Sequence, residues 1–327
     1  MNVFIHRRDI RNSDNITLNK MYQYLKEPIV PIFIFTPEQI DTNHYFSNNL
    51  LQFLCGSLVE LNNDYETKGG HLHIYKGKIE TILNQLHKEF NIKSIGFNSD
   101  YSPYSKKRDK LIEQWTLKHN IKLFNEEDML LVDITKEPTY PNKEPYKKFT
   151  PFMRYQKINY KVSLPKTLKI QFTSFPKRLS IELKTLESFF IFNENIHVNS
   201  GRKEGLKQLS KLKYLKDYVE KRNLLTYQTS NLSAYINLGI LSIREVYKKG
   251  IQELGDGSFI DELYWRDFYY NILYHYPHVV GNSFNTKYDK IKWNKNKKIF
   301  DKWCNGVTGF PIVDACMRQL NTTGYMH

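Results

Sequence analysis

The densest chemistry in the sequence lies between Phe259 and Tyr276. Glu262, Trp265, Arg266 and Tyr269 fall at i, i+3, i+4 and i+7, so a helix there puts a carboxylate, two aromatic rings and a guanidinium on one face. Two readings of that face are open. In one, Glu262 and Arg266 make a surface pair worth roughly 0.2–0.5 kcal/mol and Trp265 packs as core. In the other, the face is a platform for an unstacked nucleobase: Trp265 stacks on it, Glu262 hydrogen-bonds its edge and Arg266 meets phosphate. Thr229, Ser230 and Ser233 lie just before and within the start of another predicted helix, where hydroxyls and free N–H groups receive phosphate oxygens. A plain helix cap explains them equally well. Trp293 stands among lysines, either packed at a surface or redox-active.

These groups need elements to position them. Val3 to Ile5, Ile29 to Phe35, His71 to Tyr75 and Ile92 to Phe97 are β-branched or aromatic runs and read as strands. Ile16 to Leu25, Asn48 to Leu61, Lys78 to Phe90 and Ser105 to His119 carry apolar residues three and four apart and read as helices. Strict alternation predicts a parallel sheet covered on both faces, with ligand sites at the carboxyl ends of its strands. No G-x-G-x-x-G or G-x-x-x-x-G-K-[ST] run is present, so an ordinary nucleotide-phosphate cradle is not supported. From 136 to 195, Pro138, Pro141, Pro145, Pro151, Pro165 and Pro176 break long regular elements and predict an extended linker along the surface. Beyond Gly201 the pattern turns helical, over Leu206 to Lys221, Ala234 to Ile240, Ile243 to Lys249, Phe259 to Tyr276 and Ile312 to Leu320.

A length of 327 residues suits two domains. The apolar runs fall far short of the roughly 20 residues a membrane span needs. Arg7, Arg8 and Arg11 stand near the start, with no secretory signal, which points to an intracellular site. Cys55, Cys304 and Cys316 are too few and too scattered for a disulfide framework or a metal site, so no metal is expected. The net charge of +14 is uneven: residues 1–135 hold 16 Lys+Arg against 17 Asp+Glu, and residues 136–327 hold 32 against 17. The basic half implies either a polyanionic partner, nucleic acid before an anionic membrane, or a solvated lysine-rich face.

Several stretches, in order, resemble the photolyase/cryptochrome family. HRRDIRNSDN (His6 to Asn15) resembles its R-x-D-x-R-x-x-D-N signature, and DYSPYSKKRD (Asp100 to Asp109) a loop and helix of its antenna domain. TSNLS (Thr229 to Ser233), FIDELYWRDFY (Phe259 to Tyr269) and WCNGVTGFPIVDACMRQLNTTGYMH (Trp303 to His327) follow. The WRDFY pattern is most similar to the class I enzymes that repair cyclobutane pyrimidine dimers. Asn231 departs from the pattern, standing where many members have Arg.

The resemblance implies a Rossmann-like α/β antenna domain over 1–135, a linker over 136–195 and an all-helical FAD-binding domain from 196 to 327. In photolyases, light excites reduced flavin, an electron passes to the dimer, the ring splits and the electron returns. Carried over by position, Tyr218, Thr229, Ser230, Leu232, Ser233, Phe259, Glu262, Arg266 and Tyr269 contact the flavin. Glu262, Trp265 and Arg266 face DNA, with Arg222 near it, and catalysis falls to Glu262, Trp265 and the outermost redox tryptophan, Trp293. An antenna pigment near Tyr101 to Asp109, folate or deazaflavin, stays open. The family pattern runs on as H-N-R-x-R-M from the position of His327, so the resemblance predicts an incomplete helical domain whose remaining helices come from a second polypeptide or from readthrough. The alternatives are a cryptochrome-like blue-light sensor and an inactive remnant that binds nucleic acid through its basic half.

Overall fold

The computed structural model describes residues 1–135, 144–176 and 180–327; Pro138 and Pro141, expected to break structure, lie outside them. Strands β1 (Asn2–His6), β2 (Ile29–Phe35), β3 (His73–Lys76), β4 (Ser94–Asn98) and β5 (Lys122–Glu126) form one parallel sheet in the order β3-β2-β1-β4-β5. Between them run helices α1 (Ile16–Leu25), α2 (Pro37–Ile40), α3 (Asn48–Glu66), α4 (Ile79–Phe90) and α5 (Pro103–Lys118). Alternate strand residues serve opposite faces. Val3, Ile5, Val30 and Ile32 pack with Leu83, Leu86, Ile112 and Trp115 of α4 and α5. Phe4, Phe33 and Phe35 share a second core with Leu18, Met21, Phe53 and Leu58 of α1 and α3. A Cβ at Gly96 would sit 2.7 Å from the Met21 sulfur, so glycine lets α1 lie close on β4. The edge strand β5 was not expected, because only Leu123 and Phe124 in it are apolar.

The second core continues into the helical part through Leu209, Leu212, Tyr235, Leu241, Val246, Phe259 and Ile260. That part comprises α6 (Phe149–Asn159), α7 (Arg202–Ser210), α8 (Tyr218–Lys221), α9 (Ser233–Asn237), α10 (Ile243–Leu254), α11 (Ser258–His275), α12 (Lys297–Cys304) and α13 (Pro311–Thr323). Two expectations meet differences here. The stretch read as an extended linker contains α6, because Pro151 falls in its first turn, where no intrahelical N–H is required. Phe152 and Gln156 are buried on α6, and the Phe152 ring lies 5.5 Å from Phe268 of α11. Leu206 to Lys221 is not one helix: a 3-10 turn over Lys211–Tyr214 divides it, and buried Leu209, Leu212 and Leu215 recur every third residue, the period of that turn. No helix among the described residues is long and apolar enough to cross a membrane.

The two parts are joined by buried charge. Arg244 of α10 donates from Nε to Asp14 Oδ2 at 2.9 Å and from Nη2 to Asp128 Oδ1 at 2.7 Å. Arg11 pairs with Asp128 and donates to Gly239 O at 2.8 Å. All four side chains are 3% exposed or less. Burial alone would lower the Arg244 pKa, but Asp128 and Asp14 outweigh it and hold the guanidinium charged. Gly239 has φ +60, and a Cβ there would lie 2.2 Å from Arg8 O, so glycine is required where α9 meets the first loop. Removing one partner of such a cluster strands the others without counter-charge. Arg244→Ala is expected to lose about 3–5 kcal/mol in urea unfolding followed by circular dichroism, and a loss below about 1 kcal/mol would show that the cluster does not hold the parts together.

Candidate functional site

Helix α11 runs past the start of α9, and the space between them is a cavity of about 570 Å³. Seven of the residues singled out in the sequence line it: Tyr218, Ser230, Leu232, Ser233, Phe259, Glu262 and Arg266. Val198, Asn237, Tyr270 and Tyr325 complete much of the wall and had no sequence signal of their own. The residue at the N-cap of α9 is Leu232, and no side chain caps the helix, so the cap reading of Thr229, Ser230 and Ser233 does not hold. Thr229 stands at the rim, its Oγ1 3.5 Å from Tyr325 OH. Asn231 has φ +53, and its side chain meets His197 Nε2 at 3.2 Å, beside the stacked His197 and Tyr325 rings.

The α11 face divides. Glu262 and Arg266 turn to the cavity, whereas Trp265 and Tyr269 do not line it. Trp265 stacks flat on Phe149 of α6 at 3.7 Å and 8°, with Tyr269 offset on it at 5.8 Å. Phe149 and α6 were missed in the sequence, although Phe149, Phe152 and Gln156 already have helical spacing. Glu262 does not pair with Arg266: its ion pair is with Arg222, whose carbonyl also meets His327 Nε2 at 2.7 Å. Trp293 is 74% exposed and away from the cavity wall.

The DNA photolyase family pattern matches residues 2–169, and that of the FAD binding domain of DNA photolyase matches residues 259–327. The chain belongs to the DNA photolyase family. It is 28% identical to a deoxyribodipyrimidine photo-lyase of Synechococcus sp., over 99% of this chain and 71% of that one. It superposes on an archaeal photolyase from Sulfolobus tokodaii, solved with two FAD molecules, at TM-score 0.88 and 31% identity, covering 99% of this chain and 71% of that one. A bacterial class III photolyase from Agrobacterium tumefaciens matches at TM-score 0.89 and 26% identity, over 99% and 69% of the two chains.

The cavity of this photolyase-family chain fits a flavin dinucleotide in size and in donors. Its volume lies within the roughly 300–1,000 Å³ of ligand pockets. Arg266, Ser230 and Ser233 bring N–H and O–H groups of the kind that bind phosphate, while Tyr218 and Phe259 offer ring surface. The crevice at the carboxyl ends of β1 and β4 is different. Arg7 crosses it, paired with Asp109 and 4.4 Å from the Phe97 ring, and leaves about 10 Å³, room for one water. An antenna pigment fits there only if Arg7 moves.

The loop after β5 braces the cavity wall. Arg266 Nη1 donates to Met129 O at 2.6 Å, and Asp267 Oδ2 accepts from Leu131 N at 2.7 Å. Burial pushes Asp267 up to about 7, against the pull of Arg266. Glu127 is pushed up to about 8 by burial, against the N–H groups of Leu130 and Met129, and its Oε2 has no hydrogen-bond partner among the described residues. The unfolded chain ionises Glu127 in the ordinary carboxylate range and the folded chain only near 8, so this group's stabilisation falls as pH rises between the two. Glu127→Gln keeps the Oε1 acceptor. It is expected to melt with the native chain at pH 5 and several degrees above it at pH 8, and equal melting temperatures at pH 8 would show that the carboxyl is not held neutral.

Proposed function

We propose that this chain holds FAD in the cavity between α9 and α11 and takes part in light-dependent repair of cyclobutane pyrimidine dimers in DNA. The observation that carries the reading is the convergence of Tyr218, Ser230, Leu232, Ser233, Phe259, Glu262 and Arg266 on one cavity of ligand size. Ser230, Ser233 and Arg266 donate to phosphate oxygens, with Thr229 at the rim; Tyr218, Leu232 and Phe259 wall the rings. When bound in its reduced form, the flavin would supply under light the electron for opening the cyclobutane ring and would regain it, leaving repair redox-neutral overall.

Glu262 accepts hydrogen bonds from the extruded dimer. Its pair with Arg222 is 34% and 42% exposed, a kind worth about 0–1 kcal/mol, so the carboxylate changes partner at small cost. Arg222 is then free for the DNA backbone. Trp265, immobilised on Phe149, presents a rigid aromatic wall beside the lesion, with Tyr269 behind it. Trp293 is the surface end of the electron supply to the flavin, a role its exposure supports. A second polypeptide covers α12 and α13, which leave Phe300, Trp303, Phe310 and Ile312 between 46% and 69% exposed, more apolar surface than a finished fold keeps wet.

The test is repair of a dimer-bearing oligonucleotide under blue light, with FAD and the covering polypeptide supplied. Glu262→Ala is expected to retain flavin and to lose about 1.5–3 kcal/mol of dimer affinity, the worth of a hydrogen bond to a charged group. Native repair by the variant would remove Glu262 from the lesion site. Flavin binding without any repair by the native chain would favour a light sensor instead.

A further inference from the structure

The stretch that leads into and through α12 carries seven lysines, at 287, 290, 292, 295, 297, 298 and 302, against two aspartates, 289 and 301. Every residue from 284 to 303 is exposed. Lys287 lies over the Tyr288 ring at 4.7 Å. The other six make no ion pair with a carboxylate among the described residues, where all the lysine–carboxylate pairs involve other lysines. What sets the segment apart is density: seven lysines fall within sixteen residues, 287 to 302, and all of them are exposed.

The backbone here is ordered by local turns, not by packing. Asn296 N donates to Asn294 Oδ1 at 2.9 Å, and Asn296 Oδ1 accepts from Lys298 N at 3.0 Å. Residues 291–296 are irregular, and none of the segment lines the flavin cavity. A membrane-surface element needs an amphipathic helix with a continuous apolar face, whereas α12 is only eight residues long and Lys287, Lys290, Lys292 and Lys295 precede it. Ammonium groups so spaced suit a row of phosphates. Among them Trp293 is 74% and Tyr288 49% exposed, ring faces on which unpaired bases stack.

We propose that residues 287–298 are a second nucleic-acid contact, which binds single-stranded DNA through its phosphates, with Trp293 stacking on a base, and which is indifferent to lesions. It lies outside the flavin cavity, although Trp293 also stands on the proposed electron path, and binding to it does not require flavin or light.

The experiment is titration of a labelled, undamaged oligothymidine with the full chain in the dark, across a salt series. Changing Lys290, Lys292, Lys295 and Lys297 together to Ala is expected to make the plot of log affinity against log salt shallower by about 0.7 for each phosphate no longer neutralised, about 2–3 in all. Changing the same four to Arg should restore the native slope. Trp293→Ala should weaken binding about fivefold or more at every salt concentration and leave the slope alone. Circular dichroism confirms that each variant is folded. Identical slope and affinity for the native chain and the four-alanine variant would overturn the proposal, as would lysine-dependent binding to phosphatidylserine vesicles without binding to DNA. The four-alanine variant should keep the native ratio of dimer to undamaged affinity. Absence of any dimer preference in the native chain would count against the repair reading and leave this second site standing.

Discussion

Two arginines and two aspartates, sealed from water where the sheet meets α10, are the interaction on which the rest of the molecule depends. Arg11 and Asp14 come from the loop after β1, Asp128 from the loop after β5, and Arg244 from α10. A buried ion cluster adds little net stability over apolar packing, but it is intolerant of a missing member and so restricts how the parts fit. Around it, Ile10 N donates to Leu238 O at 3.1 Å, and the absence of a side chain at Gly239 allows that approach.

The functional cavity inherits its geometry from this junction. Asp128 lies in the same loop as Met129 and Leu131, whose carbonyl and N–H hold Arg266 and Asp267 on α11. The chain of contact therefore runs from the cluster to the loop, to α11 and into the cavity wall. The acids along it, Glu127 and Asp267, are raised by burial. Charged and backbone contacts of this kind hold Arg266 in place at the cavity wall, the preorganisation that a binding site requires.

Where local forces dominate, the sequence was legible. Helix α1 and strand β2 match the periodicity to the residue, helped by Asn15 capping Leu18 N and by a wholly buried β2. Strand β5 was not legible because an edge strand in this position needs few apolar residues, and α6 was hidden by Pro151, which its first turn tolerates. At the site, spacing placed Glu262, Trp265, Arg266 and Tyr269 on one face. It could not divide that face, because what draws Trp265 aside is Phe149, more than a hundred residues earlier in the chain. The signature His6 to Asn15 was legible as a family mark, but its role as the junction was not. Arg244 lies 230 residues beyond Asp14, and no local pattern encodes such a pairing.

Diffraction from crystals of the chain grown with FAD would show whether the α9–α11 cavity is the flavin site. Flavin density is expected in that cavity, with phosphates at Ser230, Ser233 and Arg266 and ring contacts to Tyr218 and Phe259. Flavin density elsewhere on the chain, with this cavity unoccupied at saturating FAD, would contradict it.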